Sequence, residues 1–156
     1  MKVSINNSNH LDEFIRLNEE WISRHFSLEK TDIDLAKNPH SIIDNGGYVF
    51  SLVSKNKVLG VCALFYDGFG IYELARMAVS TDHQKKGYAD LLLKSVFETL
   101  ADKNVKKLYL VSNTKLIPAI TLYKKHGFIT VYEGPHPVYL RANIIMEYPV
   151  EKLDLT

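Results

Sequence analysis

An α/β fold is predicted for this chain, with a central mixed, mostly antiparallel sheet of about six to seven strands flanked by about four helices. Three observations carry that expectation. Apolar residues keep helical spacing near the N-terminus, residues 48 to 79 switch to β-branched and aromatic runs parted by polar turns, and beyond residue 80 strand and helix alternate. The 156 residues show no repeat, low-complexity tract or Gly/Ser/Pro-rich linker. Residues 1–156 are therefore expected to form one domain, which at this size buries roughly two-thirds of its unfolded surface.

From Ser8, an N-cap residue type, Leu11, Phe14, Ile15, Trp21 and Ile22 mark the apolar face of a first helix to about Arg24, with Asn18 the one polar interruption. A short second helix begins near Thr31. Tyr48 to Val53, Val58 to Phe65 and Ile71 to Val79 read as three antiparallel strands, joined through Lys55-Asn56-Lys57 and Asp67-Gly68-Phe69-Gly70. After Gly87, residues Tyr88, Leu91, Leu92, Val96 and Leu100 recur at helical spacing, and Lys107 to Ser112 reads as a buried strand. Strand, helix and strand make a parallel crossover unit. Pro118 suits the first turn of a helix that runs through Tyr123, and Gly127 sits where a left-handed cap would end it. Phe128 to Glu133 and Asn143 to Tyr148 complete the sheet.

Composition narrows the function classes. With 46% hydrophobic and 24% charged residues the chain is globular in type. Met1 to Asn7 lacks the apolar core of a signal peptide, and no apolar run approaches the roughly 20 residues of a membrane span, so a cytoplasmic protein without membrane contact is expected. Cys62 is the single cysteine, which rules out an internal disulfide, and its apolar surroundings read as core. The six histidines lack paired ligand spacing, so no metal is expected. A net charge of +1 argues against nucleic acid as partner. Residues 81 to 130 nevertheless carry nine Lys/Arg against four Asp/Glu, a local excess that suits one compact polyanion or a solvated helix face. Neither a G-x-S-x-G elbow nor a G-x-x-x-x-G-K-[ST] loop occurs, which removes serine hydrolysis and nucleotide hydrolysis.

The chemistry is signalled where a strand ends and a helix begins, across Val79 to Ala89. First-turn amides of a helix lack internal partners and sit at the positive end of its dipole, so a phosphate is a natural ligand. Gly87 permits close approach of the main chain, Ala89 keeps the first turn uncrowded, and Lys85 and Lys86 add charge beside a pyrophosphate site. An ordinary polar loop with a helix-starting glycine has the same local look.

Gln84-Lys85-Lys86-Gly87-Tyr88-Ala89 resembles the Q/R-x-x-G-x-G/A acetyl-CoA signature of the GCN5-related N-acetyltransferase superfamily. Glu73 to Val79 resembles that family's fourth strand, and Asn113 with Ala119 through Phe128 resembles its asparagine, tyrosine helix and Gly-Phe ending. Alanine in place of the last signature glycine, and lysine where arginine is frequent, are mild departures. Glu20 to Gly47 and Tyr139 to Met146 also look like a bacterial branch of the superfamily whose substrates are generally unassigned.

The resemblance implies a single GNAT-like domain with splayed fourth and fifth strands, acetyl-CoA as donor, no metal, and transfer to an amine of a small molecule or peptide. Donor contacts are implied for Met77, Ala78, Val79, Gln84, Lys85, Lys86, Gly87, Tyr88, Ala89, Asn113, Ala119 and Tyr123, with an amide near Val79 facing the thioester oxyanion. An alkylammonium, with a pKa of about 10.4, must lose a proton before attack. Glu73 is the candidate base, and strict alternation puts it on one face with Ala75 and Met77; a surface carboxylate paired with lysine is the competing reading. Tyr123 is the candidate acid for the departing thiolate, or else a core tyrosine. Arg141 is a weaker candidate for substrate or interface contact and reads mainly as a surface residue. Segments 24 to 47 and 132 to 142 are expected to wall the acceptor without selecting a polyamine, amino acid, drug or protein N-terminus. Relatives of this kind commonly form homodimers. A binding module that kept the donor loop but lost turnover is the alternative function.

Overall fold

The computed structural model describes residues 1–155; Thr156, the last residue of the expected domain, lies outside them. The strands are β1 Lys2–Ile5, β2 Tyr48–Ser54, β3 Lys57–Gly68, β4 Ile71–Val79, β5 Lys107–Ser112, β6 Ile129–Glu133 and β7 Ile144–Tyr148. The α-helices are α1 Leu11–His25, α2 Lys30–Lys37, α3 Ser41–Asp44, α4 Tyr88–Leu100 and α5 Ile117–Lys125. One sheet results, ordered β1-β2-β3-β4-β5-β7-β6, in which β4 and β5 are parallel and the other neighbours antiparallel. The crossover through α4 imposes that parallel pair.

Each sheet face has its own core. On one, Phe50, Leu52, Cys62, Leu64 and Leu74 meet Leu92, Leu93, Val96 and Leu100 of α4 and Tyr123 of α5. On the other, Leu11, Phe14 and Leu17 of α1 cover Val49, Val61, Ala63 and Ala78. Cys62 is fully buried, and burial pushes its thiol well above the usual range, as a core residue requires. No helix among the described residues is long and apolar enough to cross a membrane.

Two elements escape the sequence pattern, the four-residue edge strand β1 and the single turn α3. Ser8 is not the helix cap. It lies in a 3-10 turn begun by Asn7, whose Oδ1 accepts the Asn9 amide at 3.0 Å, and α1 starts at Leu11.

Alternation along β4 also fails, with consequences for the site. Val61 faces Ala78 while Ala63 faces Ala75, so β4 holds one extra residue, and Arg76 takes φ 60°. This is a β-bulge, which bends the strand and changes which side chains share a face. Glu73 pairs with Phe65 and Ala75 with Ala63 on the α1 side, whereas Met77 packs with the α4 core. The shared face expected for Glu73 and Met77 is therefore corrected.

Candidate active site

The β4–β5 ladder ends at Leu74↔Leu110, although β4 continues to Val79 and β5 to Ser112. Beyond that point the bulged strand diverges from its neighbour, and a cavity of about 490 Å³ opens between them. Glu73, Met77, Ala78 and Val79 border it from β4, Asn113 from the end of β5, and Ala119 and Tyr123 from α5.

At one end lies the loop into α4. Thr81–His83 form a 3-10 turn, Gln84 is extended with Nε2 donating to Val79 O at 3.3 Å, Lys85 takes φ 63° and Gly87 φ 78°. Two left-handed residues turn the chain sharply onto the helix, and only at Gly87 is that conformation free of side-chain cost. Gly87 offers no side-chain cap, so the first amides of α4 need partners from outside the helix. A methyl group added at Gly87 would come no nearer to protein than the Asp90 carboxylate at 4.0 Å. Gln84, Lys85, Gly87, Tyr88 and Ala89 border the cavity, while Lys86 is exposed outside it.

Asp90, in the first turn, would repel an anion if free. It is not: His126 Nε2 lies 2.6 Å and Lys125 Nζ 3.0 Å from its Oδ1. The His126 bond, and then Lys125, hold its carboxyl below the usual range against the upward pull of burial. Thr81 anchors the loop to α1, donating to Glu20 Oε1 at 2.9 Å and accepting from Arg24 Nη2 at 3.0 Å.

Glu73 is only 7% exposed. Burial, reinforced by the Asp67 carboxylate, pushes its carboxyl up to about 7. Tyr109, its register partner on β5, has one proton to give and donates it to Asp67 Oδ2 at 2.7 Å, leaving Glu73 Oε1 at 3.3 Å. Glu73 thus keeps an oxygen able to take up a proton.

Tyr123 is fixed by the end of α5. Phe128 N donates to Tyr123 O and Gly127 N to Lys124 O, both at 3.0 Å, with Gly127 at φ 103°. This is a Schellman cap, and its usual apolar contact is the Tyr123–Phe128 ring pair at 5.9 Å. Burial raises the Tyr123 phenol well above its ordinary value, so it stays protonated. Glu73 and Tyr123 approach the gap from opposite sheet faces. Asn113 is partly committed: Oδ1 accepts Lys115 N at 2.9 Å and Nδ2 donates to Arg141 O at 2.8 Å, which leaves its second N–H as the donor it can offer.

Behind the Glu73 side stands an ionic cluster the sequence did not foretell. Asp32, 4% exposed at the start of α2, accepts from Arg76 and from Arg141 Nη1 at 2.6 Å and Nη2 at 2.8 Å. Glu29 Oε2 lies 3.2 Å from Arg141 Nη1, and its Oε1 accepts the Leu140 amide at 2.9 Å. Arg141 is therefore a tie between α2 and the 134–143 segment, not a surface residue. The short second helix expected near Thr31 is α2, and it lies within the segment expected to wall the acceptor. Trp21, Phe26 and Tyr139 complete this wall of the cavity. The Glu29-x-x-Asp32 spacing of a capping box was the one available signal for the cluster. No group of three His, Cys, Asp or Glu able to hold a metal ion occurs among the described residues.

The fold has close counterparts. An acetyltransferase of the GNAT family from Staphylococcus aureus Mu50 superposes with a TM-score of 0.81 at 18% identity, covering 94% of this chain and 98% of that one. PaiA N-acetyltransferase from Thermoplasma acidophilum, solved with coenzyme A, gives 0.69 at 16% identity over 95% and 99% of the two chains. A variant of spermidine N-acetyltransferase SpeG from Vibrio cholerae gives 0.72 at 20% identity over 98% and 97%. No curated protein matches the sequence significantly. The model of the "Acetyltransferase (GNAT) family" matches residues 12–128, so the chain belongs to that family and is an acetyl-CoA-dependent acetyltransferase.

Proposed function

We propose that the protein transfers an acetyl group from acetyl-CoA to a primary amine by direct attack on the thioester. The observation that carries this reading is the opening between β4 and β5, with Glu73 on one sheet face, Tyr123 on the other and the uncapped amides of α4 at its end. Those amides, with Lys85, would hold the pyrophosphate, and the open edge of β4 from Met77 to Val79 would pair with the pantetheine arm. Glu73 takes a proton from the ammonium, directly or through water. The free amine then bonds to the carbonyl carbon and a β4 amide near Val79 holds the oxyanion; as the carbonyl re-forms the C–S bond breaks, Tyr123 donates to the departing sulfur, and the nitrogen's second proton passes back to Tyr123, directly or through water, leaving the amide and the free thiol. A phenol whose acidity burial has weakened acts mainly by hydrogen bonding, so its loss is moderate. Tyr123→Phe should lower kcat about 10-fold, the worth of one hydrogen bond to a charged group, with CoA affinity unchanged by calorimetry.

The donor site is tested at Gly87. Gly87→Ala adds a methyl in a left-handed conformation, a strain of about 1–2 kcal/mol, and crowds the phosphate approach. Its Kd for CoA should rise roughly 10-fold, the equivalent of about 1.4 kcal/mol. The decisive experiment pairs CoA titration of the wild-type protein with thiol release across an amine panel. Absence of binding heat and of a Tm shift sinks the reading; binding without turnover on any amine makes the protein a sensor. The structural likeness to a spermidine acetyltransferase does not carry its acceptor across, and a small-molecule and a peptide amine both fit this chemistry.

A further inference from the structure

We infer that the acceptor is a primary monoamine with an apolar, preferably aromatic, body rather than a polyamine; the inference rests on the acetyltransferase reading above. Charge supplies the first argument. Among the described residues bordering the cavity, only Glu73 and Asp90 are acidic, and Asp90 is engaged by Lys125 and His126 at the donor end. The nearby Glu29 and Asp32 carboxylates are taken up by Arg76 and Arg141. A polyamine carries several ammonium groups and would find one carboxylate lining the cavity, Glu73, which the reaction itself employs; Asp67 beside it lies outside that lining and accepts the Tyr109 hydroxyl at 2.7 Å.

Aromatic rings could in principle hold a second ammonium through their faces. Two of the rings on this wall already have a cation of the protein over them. Lys115 Nζ stands 4.0 Å from the Phe26 ring centre while donating to His25 O, and the Arg141 guanidinium stands 5.6 Å from that of Tyr139. An incoming distal ammonium would therefore meet like charge. Trp21, by contrast, meets the rings of His25 and Phe26 in tilted contacts, at 5.2 and 6.1 Å, and offers an apolar surface beside Ile22 at the cavity margin. An uncharged ring or alkyl body attached to the amine buries there with no charge left unanswered.

The test compares kcat/KM for 2-phenylethylamine and spermidine with acetyl-CoA at fixed ionic strength. A preference of at least about 10-fold for phenylethylamine is expected. Trp21→Ala should raise the phenylethylamine KM roughly 10-fold with CoA affinity unchanged. Lys115→Glu, at an exposed position, should raise kcat/KM for spermidine several-fold, and it keeps the test open if Trp21→Ala fails to fold. Equal or better use of spermidine by the wild-type protein overturns the inference, as does rejection of both amines with CoA still bound. A protein that binds no CoA sinks the underlying activity and the inference together.

Discussion

Glu73→Gln is expected to lower kcat about 100-fold, within the 10²–10⁴ range of general base catalysis, and to erase the rising limb of kcat near pH 7. The isosteric amide keeps the side chain's volume and cannot accept a proton from the ammonium. Burial, then the neighbouring Asp67, holds the Glu73 carboxyl up at about 7 from an ordinary 4.5. For the proposed base the useful form is the carboxylate, so activity should rise as pH passes through 7 and level above it. Stability moves the other way. A carboxyl raised on folding contributes stability that is fully present below its unfolded value and is lost as pH climbs from about 4.5 to 7. The ionised form thus costs the folded state about 3 kcal/mol at pH 8, taking 1.36 kcal/mol per unit. The glutamine variant carries no such cost, so thermal melting at pH 8 should show a Tm equal to or above that of the wild type. A merely structural Glu73 would lower activity and Tm together, and that joint loss would falsify the role.

What the sequence made legible was local. Gly127 marks the left-handed backbone expected at the end of α5, with φ 103°, and Gly87, read for close approach of the main chain, also takes a positive φ, 78°. The crossover from β4 through α4 to β5 followed from periodicity alone, and parallel pairing followed from the crossover. Tyr123 could be located because its helix has proline at one end and a Schellman cap at the other.

The remainder lay in long-range geometry. Nothing in Leu74-Ala75-Arg76-Met77 announces a bulge, because arginine is not a residue that favours positive φ; the bulge exists because the surrounding sheet and the Asp32 carboxylate hold Arg76 in place. Tyr109 reaches Glu73 only through the parallel register, which no alternation pattern specifies. Asp32 meets Arg76 across 44 positions and Arg141 across 109, a separation at which composition and spacing are silent. Arg141 therefore read mainly as surface, and its ties to α2 and, through Asp32, to β4 had no local sign. The proposed donor site centres on one strand–helix junction and so has a local sequence pattern, while the proposed acceptor wall draws on α1, α2, β4 and the 134–143 segment and has none.

Asp32→Asn should destabilise the protein by about 3–5 kcal/mol, the cost of removing one partner from a buried ion pair. The variant leaves Arg76 and Arg141 beside each other, with Glu29 paired to Arg141 and Arg76 deprived of its ion pair to Asp32, on side chains that are largely shielded from water. For a chain of this length the corresponding fall in Tm is roughly 10 °C or more. Acid titration gives an independent signature. Burial would raise the Asp32 carboxyl, but bonds from Arg141, the Glu29 amide and Arg76 outweigh it and hold the group at about 2, below its ordinary 3.8. Its contribution to stability is complete above pH 4 and is lost as pH falls toward 2, so the wild-type Tm should drop across that window and the variant's should drop less. Function supplies the third measurement. Asp32 ties α2 to β4 and to the segment carrying Tyr139, yet it lies outside the donor site, so surviving Asp32→Asn protein assayed well below its Tm should show a raised acceptor KM with CoA affinity preserved. Equal losses in donor and acceptor affinity would mean that the cluster supports the sheet as a whole rather than the acceptor wall.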